Sequence, residues 1–300
     1  MRKFVLNNGV SVPCIANGPM ILGYGKRHFS SKSFLDRAMR KIFLRPLESS
    51  RYVNAISESI KMGYTFIDYS SSYGDGVLIG NAIKRSGVKR EELTLTSRIS
   101  NHYQRTGEIR KCVESQLNSF GTDYLDLLMF HWPVPSKYIE TWKEMEKIYE
   151  EGLCKAIGIA NCNKHHIEKL LSSCKVIPAV NQFEIHPLFT QKELITYCKK
   201  ERIQVEAYTP IARCDERMMR QPRLQEIAKK YHKTIVQIIL KWHIMGGVIP
   251  VIRSLDIKHL KSNIDIFDFN LSEEEMLYID SLNINSRLRF DPDNCDYSIL

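Results

Sequence analysis

The sequence predicts an α/β protein that closes into a (β/α)8 (TIM) barrel with an N-terminal β-hairpin cap. Short apolar, β-prone runs alternate with amphipathic segments of helical character, and this alternation repeats eight times along the chain. Eight repeats favour a closed barrel over a doubly wound sheet of six or seven strands. The first run is also not followed by a Gly-x-Gly-x-x-Gly motif that opens a helix, which is the marker of the dinucleotide-binding doubly wound fold.

The predicted elements follow one another in a regular order. The hairpin is expected in KFVLNNGVSVP, where two β-prone runs flank Asn8 and Gly9. The apolar runs lie at 14–20, 65–70, 93–99, 123–130, 155–161, 178–183, 203–208 and 247–252. The helical segments lie near 50–62, 76–86, 106–119, 137–150, 164–173, 191–201, 222–244 and 256–264. Asn163 and Thr190 are the predicted N-caps of two of these helices. No low-complexity linker divides the chain, so we expect one barrel domain over residues 1–300.

Composition narrows the class of protein. The chain has 300 residues, of which 43% are hydrophobic and 26% are charged, as in a globular protein rather than a fibrous or disordered one. No window approaches 18 uncharged apolar residues, and the first residues lack the apolar core of a signal peptide. The eight cysteines form no Cys-x-x-Cys pair and no zinc-like spacing, so no metal site is expected. Reduced, mostly buried thiols in a cytoplasmic protein are the expectation.

Positive charge is concentrated in one segment. The net charge is +9, and residues 26–51 contain eight Lys or Arg against Asp36 and Glu48. Within the basic insertion at about 26–47, apolar residues recur at nearly helical spacing up to Pro46. The insertion is interpreted either as a basic lid or surface for acidic partners or membrane headgroups, or as a helix packed on the body. No recognised nucleic-acid motif accompanies the charge, so no nucleic-acid partner is expected.

Polar residues collect where the predicted strands end, which is the functional end of a (β/α)8 barrel. Four of them, Asp68, Tyr73, Arg98 and His131, could form a proton-transfer site. The tyrosine hydroxyl could act as a general acid if a nearby cation lowered its pKa. The histidine could orient a carbonyl oxygen, and the aspartate would hold the cation. This set of groups suits the reduction of a carbonyl by a hydride donor.

Several of these segments together resemble the aldo-keto reductase family over about residues 5–290. The matching stretches are LNNGVSVP, GYTFIDYSSSYGD, GTDYLDLLMFHWP, IGIANCN, NQFEIHPLFTQ, VEAYTPIA and IFDFNLSEEEMLYIDSLN. The resemblance implies a barrel with a hairpin cap and an extended NADP(H) whose nicotinamide reaches the barrel mouth. It implies that Tyr73 is the proton donor and that His131 orients the carbonyl.

The resemblance also implies a set of cofactor contacts. Asn161 and Gln182 match residues that hold the carboxamide, and Tyr208 matches the aromatic residue that stacks on the nicotinamide. Arg253 and Ser254 match the phosphate-binding pair after the last strand, and Asn263 matches an adenine contact.

The chain departs from the family pattern at several positions. Arg98 stands where the family has lysine; it keeps the charge, but its larger planar fork can take Asp68 bidentately. Ala160 replaces a serine that binds the carboxamide, and Pro19-Met20 replaces Thr-Trp. In the phosphate segment Arg253 replaces lysine, and the usual arginine falls on His259 beside Lys258. Cations for a 2′-phosphate remain, so NADP(H) is favoured over NAD(H).

Two functions are compatible with these observations. The first is an NADP(H)-dependent oxidoreductase that reduces an aldehyde or ketone, with Met20, Tyr24 and Trp132 lining the substrate pocket. The C-terminal tail, at about 285–300, is expected to complete the opening. The second is an NADP(H)-binding barrel of low activity that acts as a sensor or partner-binding protein, because Arg98 replaces the catalytic lysine. In either case we expect a monomer or weak oligomer.

Overall fold

The computed structural model describes residues 2–19, 45–73 and 76–297, with the side chains of 45–48 excepted. The first two strands, β1 (Lys3–Val5) and β2 (Ser11–Pro13), pair antiparallel around Asn8 and Gly9, as the sequence predicts. Gly9 takes φ = 88°, a conformation that few other residues tolerate in a tight turn.

Eight parallel strands form a closed barrel. They are β3 (Ala16–Asn17), β4 (Phe66–Asp68), β5 (Thr94–Ile99), β6 (Leu127–Phe130), β7 (Ile157–Ala160), β8 (Val180–Glu184), β9 (Gln204–Tyr208) and β10 (Val248–Ile252). Each strand pairs with its neighbours in chain order, and β10 closes the barrel against β3. The predicted (β/α)8 fold is therefore confirmed. Seven strands lie within the predicted apolar runs, and β8 extends one residue past its run, to Glu184.

Helices surround the barrel. They are α1 (Arg45–Lys61), α2 (Gly76–Ser86), α3 (Asn101–Thr106), α4 (Ile109–Phe120), α5 (Tyr138–Glu150), α6 (Lys164–Leu171), α7 (Lys192–Lys200), α8 (Glu216–Met219), α9 (Pro222–Lys230), α10 (Ile235–Met245), α11 (Ile257–Ile264) and α12 (Glu273–Ser281). Among the described residues, none of these helices combines the length and the hydrophobicity that a transmembrane span requires.

Three local predictions need correction or lie outside the described residues. The single helix expected over 222–244 is two helices, because His232 adopts φ = 53° and Thr234 then caps α10 with its side chain. Asn163 caps α6 as predicted, but α7 begins after Gln191 rather than after Thr190. Most of the basic insertion lies outside the described residues, and α1 begins at Arg45.

Two apolar clusters stabilise the fold. A large cluster fills the space between the barrel and its helices, with Ile67, Leu95 and Trp142 almost fully buried in it. A smaller one joins inward-facing residues such as Phe66 and Met129 to Leu6 and Val12 of the hairpin. The hairpin therefore closes the N-terminal end of the barrel, and the opposite end is left for the polar residues. All eight cysteines are free, and five of them are buried.

Candidate functional site

The carboxyl ends of the barrel strands bring the predicted polar residues to one mouth. Asp68 is the last residue of β4, and Tyr208 is the last residue of β9. His131 and Asn161 directly follow β6 and β7, and Arg253 directly follows β10. Because all eight strands are parallel, these ends meet at the same side of the barrel.

Arg98 is the centre of a buried polar cluster. Its Nη2 donates to Asp68 Oδ1 and to Gln182 Oε1, the latter at 2.8 Å, and its Nη1 donates to the Tyr73 hydroxyl oxygen at 3.0 Å. Asp68 and Arg98 are 2% and 1% exposed, so solvent screens their interaction very little. The guanidinium fork thus contacts Asp68 and Tyr73 at the same time.

The position of Tyr73 is fixed by local structure. Tyr73 ends a short 3-10 turn, Ser71–Tyr73, that follows β4. The Ser71 hydroxyl donates to the carbonyl of Arg98 at 2.9 Å and accepts from the backbone N–H of Ser100 at 3.2 Å, which ties the turn to β5. Gly18 leaves room beside the cluster, because a Cβ there would lie 3.0 Å from Val251 Cγ1 and 3.6 Å from Asp68 Oδ2.

The net pKa shift of Tyr73 differs from the sequence-based expectation. Burial raises the pKa of the Tyr73 hydroxyl above its usual value, and Asp68 acts in the same direction. The adjacent Arg98 cation lowers the pKa of the hydroxyl, as expected, but does not outweigh the burial. The phenol therefore stays protonated at neutral pH and has a hydrogen to donate.

Sequence reasoning missed Glu206, which extends the cluster into the barrel. Gln182 Nε2 donates to Glu206 Oε2 at 2.7 Å and to Asp68 Oδ1 at 3.3 Å. Burial and the neighbouring Asp68 carboxylate raise the pKa of the Glu206 carboxyl to about 8. A signal was present: Glu206 lies two residues before Tyr208 in an apolar strand, and this spacing puts both side chains on one face.

His131 lies beside Tyr73 as a neutral imidazole. The two rings meet edge to face with centroids 6.1 Å apart. Burial, together with the positive charges of Arg98 and Arg289, lowers the pKa of His131 to about 3. The hydroxyls of Ser70 and Ser72 each lie 3.4 Å from Nδ1, long for a hydrogen bond. A serine that donates to Nδ1 leaves the proton on Nε2, where it is available to an external acceptor.

Asn161 and Tyr208 hold each other at the mouth. The Tyr208 hydroxyl donates to Asn161 Oδ1 at 2.7 Å, and Asn161 Nδ2 donates to the carbonyl of His131 at 2.9 Å. Asn161 adopts φ = 59°, a left-handed conformation that asparagine tolerates better than most residues. Its amide retains one further hydrogen and one further lone pair for an external partner. Gln182 has both amide hydrogens committed, so its oxygen alone can accept another bond.

The proposed phosphate segment differs in being exposed. Arg253, Lys258 and His259 are exposed, and none forms an ion pair with another described residue. Ser254 is partly buried, and its hydroxyl accepts from the backbone N–H of Asp256 at 3.1 Å. The Asp256 carboxylate caps α11 by accepting from the backbone N–H groups of Lys258 and His259. Asn263 is buried on the same helix.

The substrate side is described only in part. Trp132 is 6% exposed, and its carbonyl accepts from Gln104 Nε2. Tyr297 of the tail approaches the Trp132 ring edge to face, with centroids 6.3 Å apart. Met20 and Tyr24 lie outside the described residues.

A second buried carboxylate that sequence reasoning missed anchors the tail. Glu184, at the end of β8, accepts from the backbone N–H groups of Leu288 and Arg289 at 2.7 and 3.0 Å. His186 Nε2 lies 3.1 Å from the same carboxylate. Glu184 is fully buried, so the tail is attached to the barrel at a fixed point. The bonds are made to backbone groups, which explains why no side-chain pattern indicated them.

Comparison with known proteins identifies the family. The model of the "Aldo/keto reductase family" matches residues 22–284. The chain is 41% identical over 239 residues to a glyoxal reductase of Bacillus subtilis, which covers 80% of this chain and 86% of that protein.

Two solved structures have the same fold. An aldo-keto reductase from a Medee basin deep-sea metagenome library superposes with a TM-score of 0.84 at 32% identity, covering 98% of this chain and 100% of that one. An aldo-keto reductase of Bombyx mori in complex with NADP superposes with a TM-score of 0.82 at 29% identity, covering 97% and 96%. The chain therefore belongs to the aldo/keto reductase family and is an enzyme of that carbonyl-reducing class.

Proposed function

We propose that the chain is an NADP(H)-dependent oxidoreductase that reduces an aldehyde or ketone to an alcohol, with Tyr73 as the proton donor. The observation that carries the proposal is the 3.0 Å hydrogen bond from Arg98 Nη1 to the Tyr73 hydroxyl, with Arg98 itself held by Asp68. This contact supports Arg98 as the cation beside the tyrosine, at the position where the family pattern has lysine.

The side chains support a cofactor that spans the mouth. Arg253 and Lys258 offer exposed positive charge without an ion-pair partner among the described residues, and the exposed His259 imidazole lies beside them, which suits a phosphate group. Asn161 and the oxygen of Gln182 retain hydrogen-bonding capacity for a carboxamide. Tyr208 is half-buried and held through its hydroxyl, which leaves a fixed aromatic surface. When bound, a nicotinamide dinucleotide supplies a hydride.

The chain's own groups would handle the proton. As the carbonyl carbon accepts hydride, its π bond breaks and negative charge develops on the oxygen. The Tyr73 hydroxyl gives its proton to that oxygen, and the Arg98 cation stabilises the phenolate left behind. His131, neutral at physiological pH, donates from Nε2 to the same oxygen and orients it. Asp68 acts as a positioning residue because it holds the guanidinium.

The proposed substrates are small aldehydes, among them dicarbonyls of the kind named for the Bacillus subtilis relative. The test is NADPH oxidation, followed by absorbance, over a panel that contains glyoxal, methylglyoxal and simple aldehydes and ketones. Tyr73→Phe should lower turnover by about 10²–10⁴-fold, while NADPH binding, read by fluorescence, stays unchanged. Tyr149→Phe, on α5 outside the barrel, is the matched control and should retain full activity.

Two outcomes would count against the proposal. Full turnover by Tyr73→Phe would remove the tyrosine from its role. Tight NADPH binding without oxidation by any compound of the panel would favour the sensor or partner-binding alternative. Comparison of NADPH with NADH in both readouts tests the cofactor preference separately.

A further inference from the structure

Three potential metal ligands meet at the edge of the barrel mouth and have no part in the proposed reaction. His165 and His166 lie in the first turn of α6, and Asp293 lies in the C-terminal tail. Their ligand atoms all lie within 4.8 Å of one another. Nε2 of His165 is 3.2 Å from Asp293 Oδ1, and Nε2 of His166 is 3.7 Å from the same oxygen.

This convergence is unusual for consecutive residues of a helix. Neighbouring side chains on a helix point about 100° apart and do not ordinarily meet. Here the two imidazole centroids are 4.0 Å apart, and both rings approach one carboxylate oxygen. The two rings therefore share one carboxylate oxygen, Oδ1 of Asp293, as a common neighbour.

The Asp293 carboxylate is also oriented by a hydrogen bond to its second oxygen. Asn163 Nδ2 donates to Asp293 Oδ2 at 2.7 Å, which leaves Oδ1 facing the two histidines. The backbone N–H of Asp293 donates to Asp291 Oδ1 at 3.1 Å and fixes the turn of the tail. Ligands of metal ions are commonly held by such outer hydrogen bonds.

We propose that His165, His166 and Asp293 bind a divalent first-row transition metal ion. Bonds of about 2.0–2.2 Å from a tetrahedral ion place ligand atoms roughly 3.3 Å apart, close to the two separations observed. Two imidazoles with one carboxylate suit Zn²⁺, Co²⁺ or Ni²⁺, whereas Mg²⁺ and Ca²⁺ prefer oxygen ligands. The side chains of His165 and Asp293 are 61% and 45% exposed, so water can complete the coordination.

Binding of a metal ion to His166 would compete with a hydrogen bond that this side chain already forms. Nδ1 of His166 accepts from the backbone N–H of Asn163 at 3.2 Å, which places the imidazole proton on Nε2. An ion on Nε2 shifts that proton to Nδ1 and ends the hydrogen bond. We therefore expect micromolar rather than nanomolar affinity.

The ion would fasten the tail beside the opening. Tyr297 packs against Trp132, its carbonyl accepts from Arg105 Nη1 at 2.7 Å, and its hydroxyl donates to the carbonyl of Pro292. Residues 294–297 thus connect the ligand Asp293 to the contact between Tyr297 and Trp132, a residue of the proposed substrate pocket. The ion site does not depend on the proposed function; only its effect at the opening does.

The test is calorimetric titration of the reduced protein with ZnCl₂, together with the visible absorption spectrum after addition of CoCl₂. One ion per chain should bind, and affinity should fall at least tenfold in His165→Ala and in Asp293→Asn. His102→Ala removes an exposed histidine elsewhere, and Cys214→Ser removes an exposed thiol; both controls should bind like the wild type. The proposal would be overturned if the wild type and the His165→Ala and Asp293→Asn variants bound the metal equally, or if none of them bound it. The two histidines and Asp293 would then form only a hydrogen-bonded contact.

Hydrogen exchange tests the fastening of the tail without any activity measurement. Zn²⁺ should slow exchange of the backbone amides of 291–297 in the wild type and leave it unchanged in Asp293→Asn. Binding without slower exchange in the wild type would refute the fastening. Because neither readout uses turnover, loss of the metal site and failure of the carbonyl reductase proposal are distinguishable.

Discussion

The buried cluster around Arg98 and the exposed segment around Arg253 compensate their charges in opposite ways. Arg98 is 1% exposed and is bonded to Asp68, Tyr73 and Gln182. Arg253, Lys258 and His259 are exposed and have no ion-pair partner among the described residues. The first region is organised by hydrogen bonds among its own side chains, whereas the second leaves its positive charge exposed. Proton transfer needs fixed geometry, and phosphate binding needs accessible charge.

Removing the carboxylate of the buried cluster should have the largest effect. Asp68→Asn leaves the Arg98 guanidinium buried without its counter-charge, so we expect the free energy of unfolding to fall by about 3–5 kcal/mol. Denaturant unfolding measures it. Glu58→Gln, which breaks the exposed pair with Lys61, is the control and should change stability by less than about 0.5 kcal/mol. Equal effects in the two variants would show that burial does not distinguish them.

The next largest effect should follow from Arg98→Lys. Lysine keeps the charge but lacks the fork that contacts Tyr73, Asp68 and Gln182 together. We expect kcat to fall by about tenfold and the ionisation of the tyrosine to move to higher pH, because a weaker cation contact stabilises the phenolate less. The pH profile of kcat checks this. If both kcat and its pH profile were unchanged, a single cation contact from residue 98 would be sufficient for proton donation by Tyr73.

At the exposed segment we expect effects on affinity alone. Arg253→Ala should weaken NADP⁺ binding by about tenfold with little change for NAD⁺ or for unfolding. Asp256→Asn keeps a side-chain oxygen to cap α11 but removes a negative charge next to the same cations, so NADP⁺ should bind a few-fold more tightly. Fluorescence titration with both dinucleotides measures the two ratios. If the affinities for NADP⁺ and NAD⁺ changed equally, the proposal that this segment binds the 2′-phosphate would be contradicted.

The last prediction concerns the pH dependence of stability. The pKa of Glu206 rises from 4.5 in the unfolded chain to about 8 in the folded protein. The folded state therefore holds this proton more tightly, and the stability linked to it is complete below pH 4.5 and is lost as pH rises through 8. Glu206→Gln imitates the protonated form, so its melting temperature should fall less than that of the wild type between pH 5 and 8. If the melting temperatures of the two proteins depended on pH in the same way, ionisation of Glu206 would not reduce the stability of the folded state.

Much of the fold could be predicted because its determinants are local. Each barrel strand overlaps one of the predicted apolar runs, and the Asn8-Gly9 turn is encoded by two residues. The break between α9 and α10 escaped prediction, since the apolar pattern continues through residues 222–244 while His232 turns left-handed between the helices. Local patterns specify which residues face the core more reliably than where a helix is interrupted.

The parallel barrel, and the mouth at which Asp68, Tyr73, Arg98 and His131 meet, follow from the amino-acid sequence alone, because strand periodicity and strand direction fix both. Three features became visible only in the folded chain. Glu206 joins the cluster through Gln182, burial outweighs the Arg98 cation and raises the pKa of Tyr73, and Asp293 meets His165 and His166. These features depend on distances between residues far apart in the chain and on exclusion of water. Neither quantity is written in the order of the amino acids.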